Sequence, residues 1–149
     1  MDIRTIATGL ATAIGTLTVG GESATATARL PNSIGILALL VYPPEIDLSF
    51  LMSGPSLNAH LHFPVRLLRD PLDVPSRSDA ILDWATALWP RPKANYTLGI
   101  AGVLEAEAQS IRIEIDGHKY SSVDGTFADF DVVEMMVDVH VYELAPFTP

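Results

Sequence analysis

Ile3, Ile6, Leu10, Ile14 and Leu17 recur every three or four residues, with Ala7, Ala11 and Ala13 beside them. That period lines one face of a helix, so residues 2–17 are predicted to form an amphipathic helix packed on a core. Gly20-Gly21 marks its stop. From Glu22 to Arg29 alanine alternates with polar residues, a pattern that leaves loop, arm and edge strand open. Ile34 to Tyr42 is a short apolar run between Pro31-Asn32 and Pro43-Pro44, which reads as a buried strand. Ile46, Leu48 and Phe50 then alternate with Asp47 and Ser49, giving a second strand.

Ser53-Gly54-Pro55-Ser56 is turn chemistry, and the stretch after it alternates with unusual regularity. Leu61, Phe63, Val65 and Leu67 take one face, while His60, His62, Pro64 and Arg66 take the other. Pro64 removes a ladder donor, which predicts an edge strand or a bulge. Residues 70–75 turn the chain. Ser76 with Asp79 resembles a capping box, and Ile81, Leu82, Ala85, Leu88 and Trp89 form the stripe of a second helix that Pro90 and Pro92 end. Residues 91–98 read as a linker, and residues 100–108 as a short helix or loop. Ile111, Ile113 and Ile115 alternate ahead of Asp116-Gly117, a strong hairpin signal, so Lys119 to Ser121 should begin a return strand. In residues 131–143, Val133, Met135, Val137, Val139 and Val141 face one way. Glu134, Met136, Asp138, His140 and Tyr142 face the other, so this strand has one wet or interface-facing side.

Three strands after one helix and three after the next describe an α+β fold. The expected architecture is an antiparallel or mixed sheet of about five to six strands with two main helices packed on one face. At 149 residues the chain fits one domain, residues 1–149, with residues 18–31 a loop or arm and residues 144–149 a short tail. A chain of this size buries roughly 70% of its unfolded surface without staples. It has no cysteine, which excludes disulfides, zinc ribbons and thiol nucleophiles together. Met1-Asp2-Ile3-Arg4 lacks the basic and apolar regions of a secretory signal, and no apolar run approaches a bilayer span, so no membrane partner is expected. The net charge of −9 opposes binding that rests on phosphate neutralisation, yet suits a surface that DNA slides past. With 48% hydrophobic and only 18% charged residues, the composition favours an oligomer.

His60-x-His62 is the sharpest candidate for chemistry, because alternate strand residues project together and two imidazoles can share a metal. A zinc site needs further ligands, and His118 and His140 lack diagnostic spacing, so the pair reads as surface histidines and no metal or cofactor is expected. Asp79 and Asp83, one turn apart, and Glu105 and Glu107 read as solvated faces more readily than acid–base pairs. Neither a phosphate-binding glycine loop nor a nucleophile elbow occurs, so no enzyme is expected. Trp89 fits the core stripe of its helix, whereas Trp84 is expected to emerge toward a partner.

Several segments taken together resemble the tail terminator family of long-tailed bacteriophages. They are the first helix from residue 2, the strand Ile34 to Tyr42 running into Pro43-Pro44-Glu45-Ile46-Asp47, and His62-Phe63-Pro64-Val65-Arg66-Leu67-Leu68 ahead of Ser76-Arg77-Ser78-Asp79 and a helix. The alternating strand near the C-terminus completes the set. The resemblance covers most of residues 2–143, and the chain departs from it in residues 20–29, 90–96 and 144–149. It implies a structural virion protein of the neck, assembled in the host cytoplasm, in which about six copies form a ring. That ring would meet the tail tube protein on one side and a head-completion or connector protein on the other, with genomic DNA passing non-specifically through its lumen. Another small head–tail connector, such as a head-closure protein, is the alternative. The expected contact residues are Pro64, Arg66, Trp84, Glu134, Met136, Asp138, His140 and Tyr142.

Overall fold

The computed structural model describes residues 2–50, 56–70, 77–121 and 127–144. Its elements run α1 (Ile3–Ile14), β1 (Thr16–Val19), β2 (Glu22–Thr27), β3 (Leu37–Val41), β4 (Glu45–Phe50), β5 (Ser56–Arg69), α2 (Arg77–Leu88), α3 (Arg91–Ala94), β6 (Val103–Ser121) and β7 (Phe127–Leu144). The strands form one mixed seven-stranded sheet in the order β1-β2-β3-β5-β7-β6, with β4 also paired to β5. The α+β class is therefore as expected, with one or two strands more than the sequence pattern suggested.

Helix α1 is capped by Asp2, whose carboxylate accepts the Arg4 N–H at 2.9 Å. It stops earlier than residue 17. Gly15 takes φ 70°, a left-handed value that suits glycine, and its N–H closes the last turn on Ala11 at 2.8 Å. The β-branched residues beyond it enter β1, where Thr16 pairs Thr25 and Thr18 pairs Ser23 through hydroxyls 2.7 Å apart. Leu17 thus reaches the core from a strand. Gly20 and Gly21, both at positive φ, make the two-residue turn into β2. The open segment Glu22 to Arg29 accordingly contains a strand, joined parallel to β3.

Strand β5 is central. Along Ser56–Arg69 it pairs with β7 without a register break, while its other side pairs first with β4 and then with β3. Pro64 therefore sits at neither a sheet edge nor a bulge. Its carbonyl accepts the Tyr42 N–H at 2.8 Å, and a strand residue's N and O point the same way. The missing donor thus faces Tyr42 to Pro44, where β3 gives way to β4 and prolines offer no ladder of their own.

The long ribbon of β6 and β7 holds the main departure from expectation. Residues 103–108 belong to β6, and Asp116-Gly117 does not turn the chain: Lys119 to Ser121 continue the same strand, paired with Phe127 to Asp129. The ladder shifts register between Glu114 and His118, and Asp116 takes φ 55°. An Asp-Gly pair supplies the positive φ that a bulge requires as readily as a hairpin does. The connection to β7 falls in residues 122–126, outside the described residues, and contains a second Asp-Gly pair, Asp124-Gly125. The turn at residues 53–56 and the cap at Ser76 likewise lie wholly or largely outside them.

Two apolar clusters form the interior. The larger joins Ile6, Leu10 and Ile14 of α1 and Ile81, Trp84 and Leu88 of α2 to Leu61, Phe63, Val65 and Leu67 of β5 and Val133 to Val141 of β7 at alternate positions. The smaller gathers Leu40 of β3, Leu68 of β5 and Phe130 and Val132 of β7, which point to the other side of the sheet, with Ile34 from the segment before β3. Leu67 and Leu68 therefore enter different clusters, as the two-residue strand period demands.

Candidate functional site

Register builds a polar face from residues far apart in sequence. Across β5 and β7, Asn58 lies opposite Tyr142, His60 opposite His140, His62 opposite Asp138, Pro64 opposite Met136 and Arg66 opposite Glu134. Seven of the eight expected contact residues are thereby gathered on one surface: Pro64, Arg66, Glu134, Met136, Asp138, His140 and Tyr142. All are half-buried, because each is flanked by neighbours on adjacent strands.

At one end of this face the imidazoles of His60 and His140 stack with centroids 4.2 Å apart and an 8° interplanar angle. His60 Nδ1 lies 3.0 Å from Asp138 Oδ2, and His62 Nδ1 lies 3.5 Å from the same carboxylate. His140 Nε2 contacts the Asn58 side-chain oxygen. The histidines are thus tied to an acid and an amide. Among the described residues no group of three or more His, Asp or Glu side chains is placed to hold a metal ion.

At the other end, Arg66 Nε donates to Glu134 Oε2 at 2.5 Å and its guanidinium lies 4.3 Å above the Tyr42 ring. Burial disfavours the Arg66 charge, but hydrogen bonds to Glu134 and Tyr42 outweigh it and raise its pKa further. Arg112 of β6 reaches Glu134 at 3.4 Å and Glu114 at 3.2 Å, extending the network across three strands. Sequence reading missed Asn58, Tyr42 and Arg112. The alternation of Ile111, Ile113 and Ile115 shows Arg112 on the opposite face of its strand, but only the pairing of β6 with β7 sets it across from Glu134.

Trp84 does not belong to this surface, and its expected role is reversed. It is fully buried in the larger cluster, with its indole N–H 3.4 Å from Glu22 Oε1, whereas Trp89 is 55% exposed. The helical stripe that faces the sheet runs through Ile81, Trp84, Ala85 and Leu88. Trp89 follows the last helical residue and escapes it.

A second surface lies beside α1. Ile3, Arg4, Ala7, Ala28, Arg29 and Val41 to Pro44 line a groove of about 660 Å³, with apolar walls and two arginines. A smaller concavity of about 380 Å³ lies against α2, between Glu22, Arg69, Asp79, Asp83 and Trp84. Arg69 donates to Glu22 at 3.0 Å, but its buried Nη1 has no hydrogen-bond partner.

No family model and no curated protein matches the sequence. Among solved structures, the fold is similar to a chain in the virion of a native gene transfer agent particle, with a TM-score of 0.53 at 12% identity. The match covers 90% of this chain and 84% of that one.

Proposed function

We propose that this chain is a structural virion protein that forms a ring at the end of a phage-type tail tube. There it terminates tube polymerisation and joins tail to head while DNA passes through the lumen. The observation that carries the reading is the shared fold with a virion chain over nearly the full length of both, in a sequence whose order of elements resembles tail terminators.

Three further features support it. The helices α1 and α2 contribute to one cluster, consistent with helices packed on one face and the wide polar face of β5, β7 and β6 left for contact. Ile46, Leu48, Trp89, Tyr96 and Leu104 are large, apolar and exposed, as subunit contacts require. The charge of −9 repels DNA and so suits passage over binding. The reading assigns no catalytic step and treats the polar face as a contact surface. A head-closure ring would use the same features and is the second reading within this class.

The test is assembly. Mass photometry of the purified chain, alone and with tail tube protein, should show a closed ring of about six copies that caps tube ends in electron micrographs. A strict monomer under both conditions would sink the proposal, and a ring that binds only the head-side partner would favour the head-closure reading.

A further inference from the structure

The described cations are nearly all engaged. Arg66, Arg69, Arg77, Lys93 and Arg112 face carboxylates, and Arg91 donates to the Ile14 carbonyl at 3.1 Å. Among the described side chains, Arg4 and Arg29 are the two guanidinium groups with no such partner, and both line the groove beside α1. In a chain with twice as many acids as bases, two unpaired arginines on one apolar groove form a surface built for a negatively charged, partly apolar occupant.

Helix α2 has the complementary face. Asp79, Leu82, Asp83, Thr86 and then Trp89 are exposed along one side, at helical spacing. Leu82 and Trp89 are more than half exposed, and Asp79 and Asp83 form no ion pair among the described residues. Their carboxylates line the concavity beside the Glu22–Arg69 pair, so a long cationic side chain entering there meets two unpaired acids.

The two surfaces lie on different parts of the subunit. Helix α1 packs against β2, β3 and α3, whereas α2 packs against β1, β6 and β7. Distinct, complementary patches on one subunit join copies head to tail, the arrangement that closes into rings. The strand β4 also combines acids, Glu45 and Asp47, with exposed Ile46 and Leu48. It follows directly on Pro43-Pro44 of the groove itself, so its use would favour a two-fold pair instead.

We infer that the groove of one copy, through Arg4 and Arg29, docks the α2 face of a second copy of this chain, through Asp79, Leu82, Asp83 and Trp89. The inference rests on the ring reading and names its subunit contact.

Charge reversal tests it. Arg4→Glu with Arg29→Glu, and separately Asp79→Arg with Asp83→Arg, should each weaken self-association at least about tenfold while circular dichroism stays unchanged. An equimolar mixture of the two variants should assemble again, because every contact in an alternating ring is then complementary. Since the chain has no cysteine, R29C combined with D83C gives a second readout: oxidation should yield a ladder of linked oligomers ending in a closed ring. Variants that assemble like the parent chain, or a cross-linked product that stops at a dimer, would overturn this contact and leave the ring standing. A parent chain that never associates, alone or with tube protein, would overturn the ring and this contact together.

Discussion

Arg77 and Asp131 hold the start of α2 against the sheet. Arg77 Nε donates to Asp131 Oδ2 at 2.7 Å and Nη2 donates to Oδ1 at 2.5 Å, a two-pronged pair on a carboxylate that is fully buried. The same Oδ1 accepts the backbone N–H of Asp116 at 3.0 Å, at the bulge of β6. One side chain therefore fixes a helix start, a bulge and a strand.

Burial works against the charged form of Asp131, but the Arg77 fork and the Asp116 N–H more than offset it and keep its pKa below the usual carboxylate range. A depressed carboxylate pKa contributes stability that is fully present above the unfolded value near 3.8 and is lost as pH falls through the lower folded value. Urea midpoints measured from pH 6 to about 2.5 should therefore drop more steeply for the parent chain than for Asp131→Asn. At neutral pH that variant should be less stable by about 1–3 kcal/mol, because the Arg77 fork loses its buried acceptor and keeps only the exposed Asp116 carboxylate as an anionic partner. Parallel acid profiles for the two proteins would refute this assignment.

The two tryptophans should separate cleanly. Trp84→Ala is expected to cost about 3–5 kcal/mol by opening a large cavity between α2 and the sheet. Trp89→Ala should stay within about 0.5 kcal/mol in the unassembled chain. Acrylamide quenching gives an independent check, since only the Trp89 emission should be readily accessible.

Arg66 and Glu134 should be energetically coupled. A double-mutant cycle with alanine at both positions is expected to return about 1 kcal/mol, decreasing in high salt. Arg66→Lys should recover only part of it, because an ammonium cannot both contact Glu134 and lie flat over the Tyr42 ring. Strict additivity would show that the pair is incidental.

The histidines should prove replaceable for folding. His60→Ala with His62→Ala removes partly exposed contacts to Asp138 and one stacked ring, for a change of about 1 kcal/mol or less. Zinc titration by calorimetry should show no stoichiometric site in the parent chain. A single tight site lost in the double variant would return function to His60 and His62.

Periodicity made much of the fold readable in the sequence. The alternation of Leu61, Phe63, Val65 and Leu67, and of Val133 to Val141, assigned β5, β7 and their buried faces, because a strand's side-chain period is two whatever surrounds it. The helix of Ile6, Leu10 and Ile14 followed from its own period in the same way. The sequence also placed Pro64, Arg66, Glu134, Met136, Asp138, His140 and Tyr142 on outward faces of their strands. Only tertiary structure decided the rest. Strand pairing brought the two outward rows together, and the break between β3 and β4 gave Pro64 a central position without an unsatisfied ladder. Asp131 and Arg77 accompany a bulge at Asp116 where local chemistry equally supports a hairpin. Packing against the sheet buried Trp84 and left Trp89 outside. Each of these outcomes depends on a partner distant in sequence, and no local pattern carries that partner's position.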